Sequence, residues 1–245
     1  KHPSVFLFFV ISGIYFKKIL FIITKNNFYS KICAILFLLY PYLLGHSFFN
    51  IKDVPFMSIW LICSYYILNF CEYFYKEKKV SSKKVIILSI LTAYLLSIRI
   101  SGVLIFIQYL IFLLVYAQSY NQKKKEFFQV FLKHIVNFIL LTTFVFFLLH
   151  PNYWDNPFKV FESIKYMSQH IQTVCTITLG ECMKAQSLPA SYIPIWMFFK
   201  LPILIIFSLI LFPLVEKDIF TNKERKTHIG SIIFTILLII FLLIV

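Results

Sequence analysis

The chain alternates long apolar runs with short polar stretches, and neither strand-like alternation nor an amphipathic stripe dominates. The apolar runs cover about residues 4–24, 30–45, 55–75, 85–117, 135–149, 194–215 and 230–245. A membrane-crossing helix needs about 20 mostly apolar residues, so each run predicts a spanning helix. The run from Val85 to Ala117 is too long for one crossing. At about 1.5 Å per residue it makes roughly 50 Å of helix, against a hydrocarbon core of about 30 Å. Its centre reads SIRISG, from Ser97 to Gly102. Two readings follow: one long tilted helix, or two short helices, 85–97 and 102–117, that turn at the break.

Charge placement separates them. If the chain turns at Arg99, the segments 25–31, 76–84, 118–134 and 216–228 share one face and carry fifteen Lys and Arg, against six on the other face. A single long helix divides the charges evenly. The positive-inside bias favours the turn. The polar segments GHSFFNIKDVPF (45–56), SIRISG and the loop 150–191 then share the extracytoplasmic side. Within that loop, 158–171 has the spacing of a short amphipathic helix, either lying on the membrane surface or packing on the bundle.

Composition agrees. Of 245 residues, 60% are hydrophobic and 14% charged, where soluble domains carry about a quarter charged residues. The predicted fold class is all-α: a polytopic transmembrane helical bundle, forming a single domain, with a large extracytoplasmic loop between two spans. The net charge of +14 is the positive-inside bias rather than a nucleic-acid surface, because no soluble segment is long enough to build one. The chain begins and ends inside apolar runs and reads as a piece of a longer protein. Cys33, Cys63 and Cys71 lie in apolar runs, whereas Cys175 and Cys182 share the polar loop, where an oxidising compartment would let them pair.

The candidate chemistry lies on the polar face. Asp53 precedes Val54-Pro55 and reads as a helix N-cap or as a functional carboxylate. Lys52 and His46 nearby favour the second reading. Arg99 inside an apolar run is either a structural partner of Asp53, Asp155 or Glu181, or a phosphate clamp with a planar fork of donors. Tyr153 and Asp155 sit in HPNYWDNP, rich in belt-type aromatics. Glu181 follows Gly180 in a largely apolar stretch. His46, His150, His170, Asp53, Asp155 and Glu181 offer donors for a divalent metal, without the close spacing of a dedicated site. No Gly-rich phosphate loop, nucleophile elbow or CxxC is present.

PYLLGHSFFNIKDVPF, SIRISG, and HPNYWDNPF followed by TLGE and LPASYIPIWMFFKLP resemble, in order and sidedness, membrane glycosyltransferases of the GT-C type. The similarity is to the bacterial branch of the dolichyl-phosphate-mannose protein mannosyltransferase and aminoarabinose transferase group, over about residues 1–215. The resemblance implies a many-helix enzyme of the bacterial inner membrane, its active site facing the periplasm or exterior. It would move a sugar from a polyprenyl-phosphate donor to a lipid, glycan or protein acceptor. It implies catalytic roles for Asp53 and Glu181, and substrate-binding roles for His46, Lys52, Arg99, Tyr153 and Asp155. The resemblance places the family's principal carboxylate in a first outer loop before these residues, so the piece alone is expected to be inactive. A transporter or flippase, a glycan polymerase or ligase, and a non-catalytic scaffold are the competing classes. A transporter predicts inverted repeats, and none is visible.

Overall fold

The computed structural model describes residues 2–77, 81–119, 124–168, 175–178, 180–184, 188–189 and 191–200. They are mostly helical and divide at Pro151/Asn152 into two compact units. The first contains α1 (His2–Thr24), α2 (Asn27–Leu38), α3 (Pro41–His46), α4 (Asp53–Glu77), α5 (Ser82–Ile98), α6 (Ile105–Ser119) and α7 (Lys124–Leu149). The second contains α8 (Lys159–Ser168), the strands β1 (Cys175–Thr178) and β2 (Glu181–Lys184), and α9 (Tyr192–Lys200).

Helix α4 is the centre of the first unit. Every residue from Val54 to Ser64 is buried, which is the signature of a helix enclosed on all sides rather than lying on a surface. The segments Pro3–Thr24 and Asp53–Tyr73 are long and apolar enough to cross a membrane, while the apolar helical stretches Asn27–Leu38, Ile100–Leu114 and His134–Leu149 are shorter.

The break at SIRISG forms as expected. Helix α5 stops at Ile98, Arg99 is extended, and one 3₁₀ turn (Ile100–Leu104) leads into α6. The chain doubles back there, because the Thr92 and Tyr109 hydroxyls are 2.8 Å apart. In a continuous helix those 17 positions would be separated by roughly 25 Å. Gly102 lets the turn close tightly: a Cβ there would sit 3.2 Å from both the Leu95 carbonyl oxygen and its Cγ.

The 30–45 run is not one helix. Helix α2 ends at Leu38 and α3 starts at Pro41, because a proline ring and its absent N–H interrupt the hydrogen-bond ladder. Apolar patterning runs across this junction and conceals it. The helical expectation holds for most of the described residues, with one small addition. β1 and β2 form an antiparallel hairpin, pairing Thr178 with Glu181, and Gly180 at the turn has φ +89°, a conformation glycine adopts freely. The amphipathic segment is helical as α8. Residues 169–171 of that expectation, and most of the runs 194–215 and 230–245, lie outside the described residues.

Helix directions gather the polar segments of the first unit at one end. Lys25 pairs with Glu72 at 3.0 Å, so α1 and α4 finish together. Lys84 donates to Asn69 at 2.6 Å, so α5 starts where α4 finishes. Helix α7 runs parallel to α5: Ser82 and Asn137 line one groove, and Thr142 donates to the Ser89 carbonyl. The start of α4, the Arg99 turn and His150 therefore share one end. Lys25, Lys83 and Lys84 lie at the other, where burial lowers the Lys84 ammonium pKa and the nearby Glu72 carboxylate opposes the shift.

Close packing of α1 on α2 supplies a test. A Cβ on Gly13 would lie 2.6–2.9 Å from three atoms of the Leu38 side chain. Gly13→Ala is expected to destabilise the unit by about 1–3 kcal/mol, the usual effect of overpacking. Leu38→Ala in the same chain should relieve most of the clash, as thermal unfolding in detergent would show.

Candidate functional site

The stretch GHSFFNIKDVPF builds a corner between α3 and α4. Asn50 organises it. Its side-chain Oδ1 accepts the backbone N–H of Asp53 at 2.9 Å and that of Lys52 at 3.3 Å. This satisfies two donors that the start of a helix leaves without partners. Capping is thus done by Asn50, and the N-cap reading of Asp53 is corrected. The Asp53 carboxylate is left for other contacts. Its Oδ2 accepts from Asn50 Nδ2 at 2.8 Å, and its Oδ1 accepts from Arg99 Nη1.

Of the three acidic partners considered for Arg99, the structure realises Asp53. The pair joins the first turn of α4 to the break after α5. Arg99 Nη1 meets one carboxylate oxygen, and the guanidinium carbon lies 5.9 Å from the centroid of Phe56, within reach of a cation–π attraction. Phe56 packs edge-on to Trp60 at 5.5 Å. The Trp60 indole N–H donates to Gln108 Oε1 at 2.6 Å, and Gln108 Nε2 donates to Ser64 at 2.7 Å. The ion pair therefore rests on a buried hydrogen-bonded core.

The pair is reachable. The Arg99 and Asp53 side chains are 40% and 48% exposed. Half-exposed ion pairs contribute about 1 kcal/mol or less to stability, so this one is a poor candidate for a purely structural device. Among the described residues the Asp53 carboxylate takes one of the guanidinium's five donors.

His46 is half-buried between the rings of Tyr42, at 4.3 Å, and Phe49, at 4.9 Å, and its Nδ1 is 3.3 Å from Asn50 Nδ2. Lys52 is exposed and adds a second cation. His46, Lys52, Asp53 and Arg99 are thus brought together, with Asn50 as the member sequence reasoning missed. Asparagine side chains favour such turn and cap positions, but nothing in the sequence says that Asn50 rather than Asp53 serves the start of α4. His150 lies at the same end of the unit, its Nδ1–H donating to the Phe146 carbonyl at 2.9 Å.

Tyr153, Asp155 and Glu181 belong to the second unit. The Tyr153 hydroxyl donates to Ser163 of α8 at 3.4 Å, Asp155 is exposed, and Glu181 is exposed at the start of β2. Phe158, Phe161 and Tyr166 of the α8 region are exposed as well. Cys182 is disulfide-bonded while Cys33, Cys63 and Cys71 are free thiols. Among the described residues no group of three or more His, Cys, Asp or Glu side chains is gathered for a metal, and His170 lies outside them.

The chain matches no family model, no curated protein and no solved structure.

Proposed function

We propose that this chain belongs to a multi-pass membrane glycosyltransferase, moving a sugar from a polyprenyl-phosphate donor to a lipid, glycan or protein acceptor on the extracytoplasmic face. The observation that carries the reading is the accessible Asp53–Arg99 pair, built where a helix inside an apolar run is interrupted. Irregular backbone of this kind at membrane depth is tolerated where it lines a wet cavity.

Other features support it. Leu7, Ile14, Leu36, Leu110, Leu140 and Phe144 are each more than half exposed on their helices. Outward apolar faces of this extent suit lipid and not water. The lysine-bearing end suits the cytoplasmic side. A disulfide in the second unit suits an oxidising exterior.

The chemistry assigns roles. Transfer breaks the bond between the sugar anomeric carbon and the phosphate oxygen, whose electrons stay on the phosphate. A base takes the acceptor's proton, and a new carbon–oxygen bond forms. Arg99, with Lys52, stabilises the leaving phosphate, as fixed positive charge does for developing anions. Asp53 already accepts hydrogen bonds on both oxygens, so it orients the acceptor and holds Arg99 rather than removing the proton. His46, at the same corner of the first unit, binds substrate.

Reconstitution of the complete protein with radiolabelled polyprenyl-phosphate sugars tests the reading. Label passing from the carrier to an acceptor fraction supports it. Label that stays on every carrier, while the protein moves the intact carrier across the bilayer, replaces it with a flippase.

A further inference from the structure

We infer that Asn50 is a positioning residue that holds His46 in the Nε2–H tautomer, making His46 a hydrogen-bond donor to the anionic group bound beside Arg99. The ligand role rests on the proposed function; the tautomer does not.

The geometry leaves one consistent assignment of hydrogens. Asn50 Oδ1 faces two backbone N–H groups, those of Lys52 and Asp53, at 3.3 and 2.9 Å. Flipping the carboxamide would set its NH₂ against both donors, so Oδ1 is fixed where it stands. Nδ2 then has two hydrogens. One goes to Asp53 Oδ2 at 2.8 Å, and the other points at His46 Nδ1 at 3.3 Å. Facing a donor, Nδ1 must accept. A neutral imidazole has one donor and one acceptor nitrogen, so the proton sits on Nε2. That nitrogen has no hydrogen-bond partner among the described residues, while Tyr42 and Phe49 hold the ring in place. Asn50 thus sets three things together: the start of α4, the Asp53 rotamer and the donor face of His46.

The test uses the complete protein in micelles, labelled with ¹⁵N-histidine, at a pH where the imidazole is neutral. The His46 resonances are assigned by their loss in His46→Gln. Long-range ¹H–¹⁵N correlations should show the proton on Nε2. Asn50→Asp keeps the cap but presents only acceptors, and should move the proton to Nδ1. Asn50→Ser keeps the cap and separates helix stability from the tautomer. A wild-type proton on Nδ1, or an Asn50→Asp variant that stays Nε2–H with its helix content intact, overturns the positioning role.

The donor role is read separately in transfer assays. His46→Leu should lose about tenfold, the worth of one hydrogen bond, and His46→Gln, which retains an N–H donor, should lose clearly less. Equal activity in the two variants overturns the donor role. A wild type that transfers no label at all defeats the proposed function but leaves the tautomer result standing.

Discussion

Arg99→Ala is expected to lower sugar transfer by about 10²–10³-fold, the usual effect of removing one preorganised group that stabilises developing negative charge. The fall should appear equally in kcat and kcat/KM, because the leaving phosphate acquires its extra charge in the transition state and not in the bound donor. Arg99→Lys keeps the charge but loses the planar fork, and should fall between the two. Thermal unfolding should change little, since the half-exposed pair with Asp53 contributes about 1 kcal/mol or less. A drop in activity that tracks a drop in folded protein would instead make Arg99 a structural residue.

Gln108→Leu is expected to destabilise the first unit by about 2 kcal/mol, with the volume roughly preserved. The side chain bridges Trp60 and Ser64 at 2.6 and 2.7 Å in a fully buried position. Leucine leaves the Trp60 indole N–H buried without an acceptor, which costs about 1–3 kcal/mol. Ser64 retains its bond to the Trp60 carbonyl at 2.8 Å, so a single orphan is created. Trp60→Phe in the same chain removes that orphan, and the double variant should be more stable than the sum of the single changes predicts, the sign of a direct interaction. Equilibrium unfolding in mild detergent measures all three. Because Trp60 supports Phe56 beneath Arg99, Gln108→Leu should also weaken transfer modestly.

These predictions concern features of unequal legibility. The turn at Arg99 was readable because an arginine within 33 apolar residues has no cheap place in a straight helix, and because charge counts chose between two threadings. The grouping of His46, Lys52 and Asp53 was readable from their closeness in sequence. The Asp53–Arg99 contact was readable only as one of three options, since sequence separation does not say which carboxylate a cation meets. The division of labour between Asn50 and Asp53 was obscured by Val54-Pro55, which marks a helix start without saying which upstream side chain caps it. The interruption at Tyr40–Pro41 was hidden by apolar residues on both sides. The hairpin was hidden because Cys175–Thr178 and Glu181–Lys184 are too short for alternation to stand out. Gln108 gave no signal, since a glutamine in an apolar helix looks the same whether or not its partner is a tryptophan 48 positions away.

The most direct measurement of the central claim compares the complete wild-type protein with Asp53→Asn in a transfer assay from a radiolabelled polyprenyl-phosphate sugar. Asparagine keeps the size and one acceptor oxygen but removes the charge that holds Arg99. The account predicts that the wild type moves label to an acceptor and that Asp53→Asn loses transfer by about 100-fold at unchanged thermal stability. Transfer by Asp53→Asn at the wild-type rate would contradict it, and would remove the Asp53–Arg99 corner from the active site.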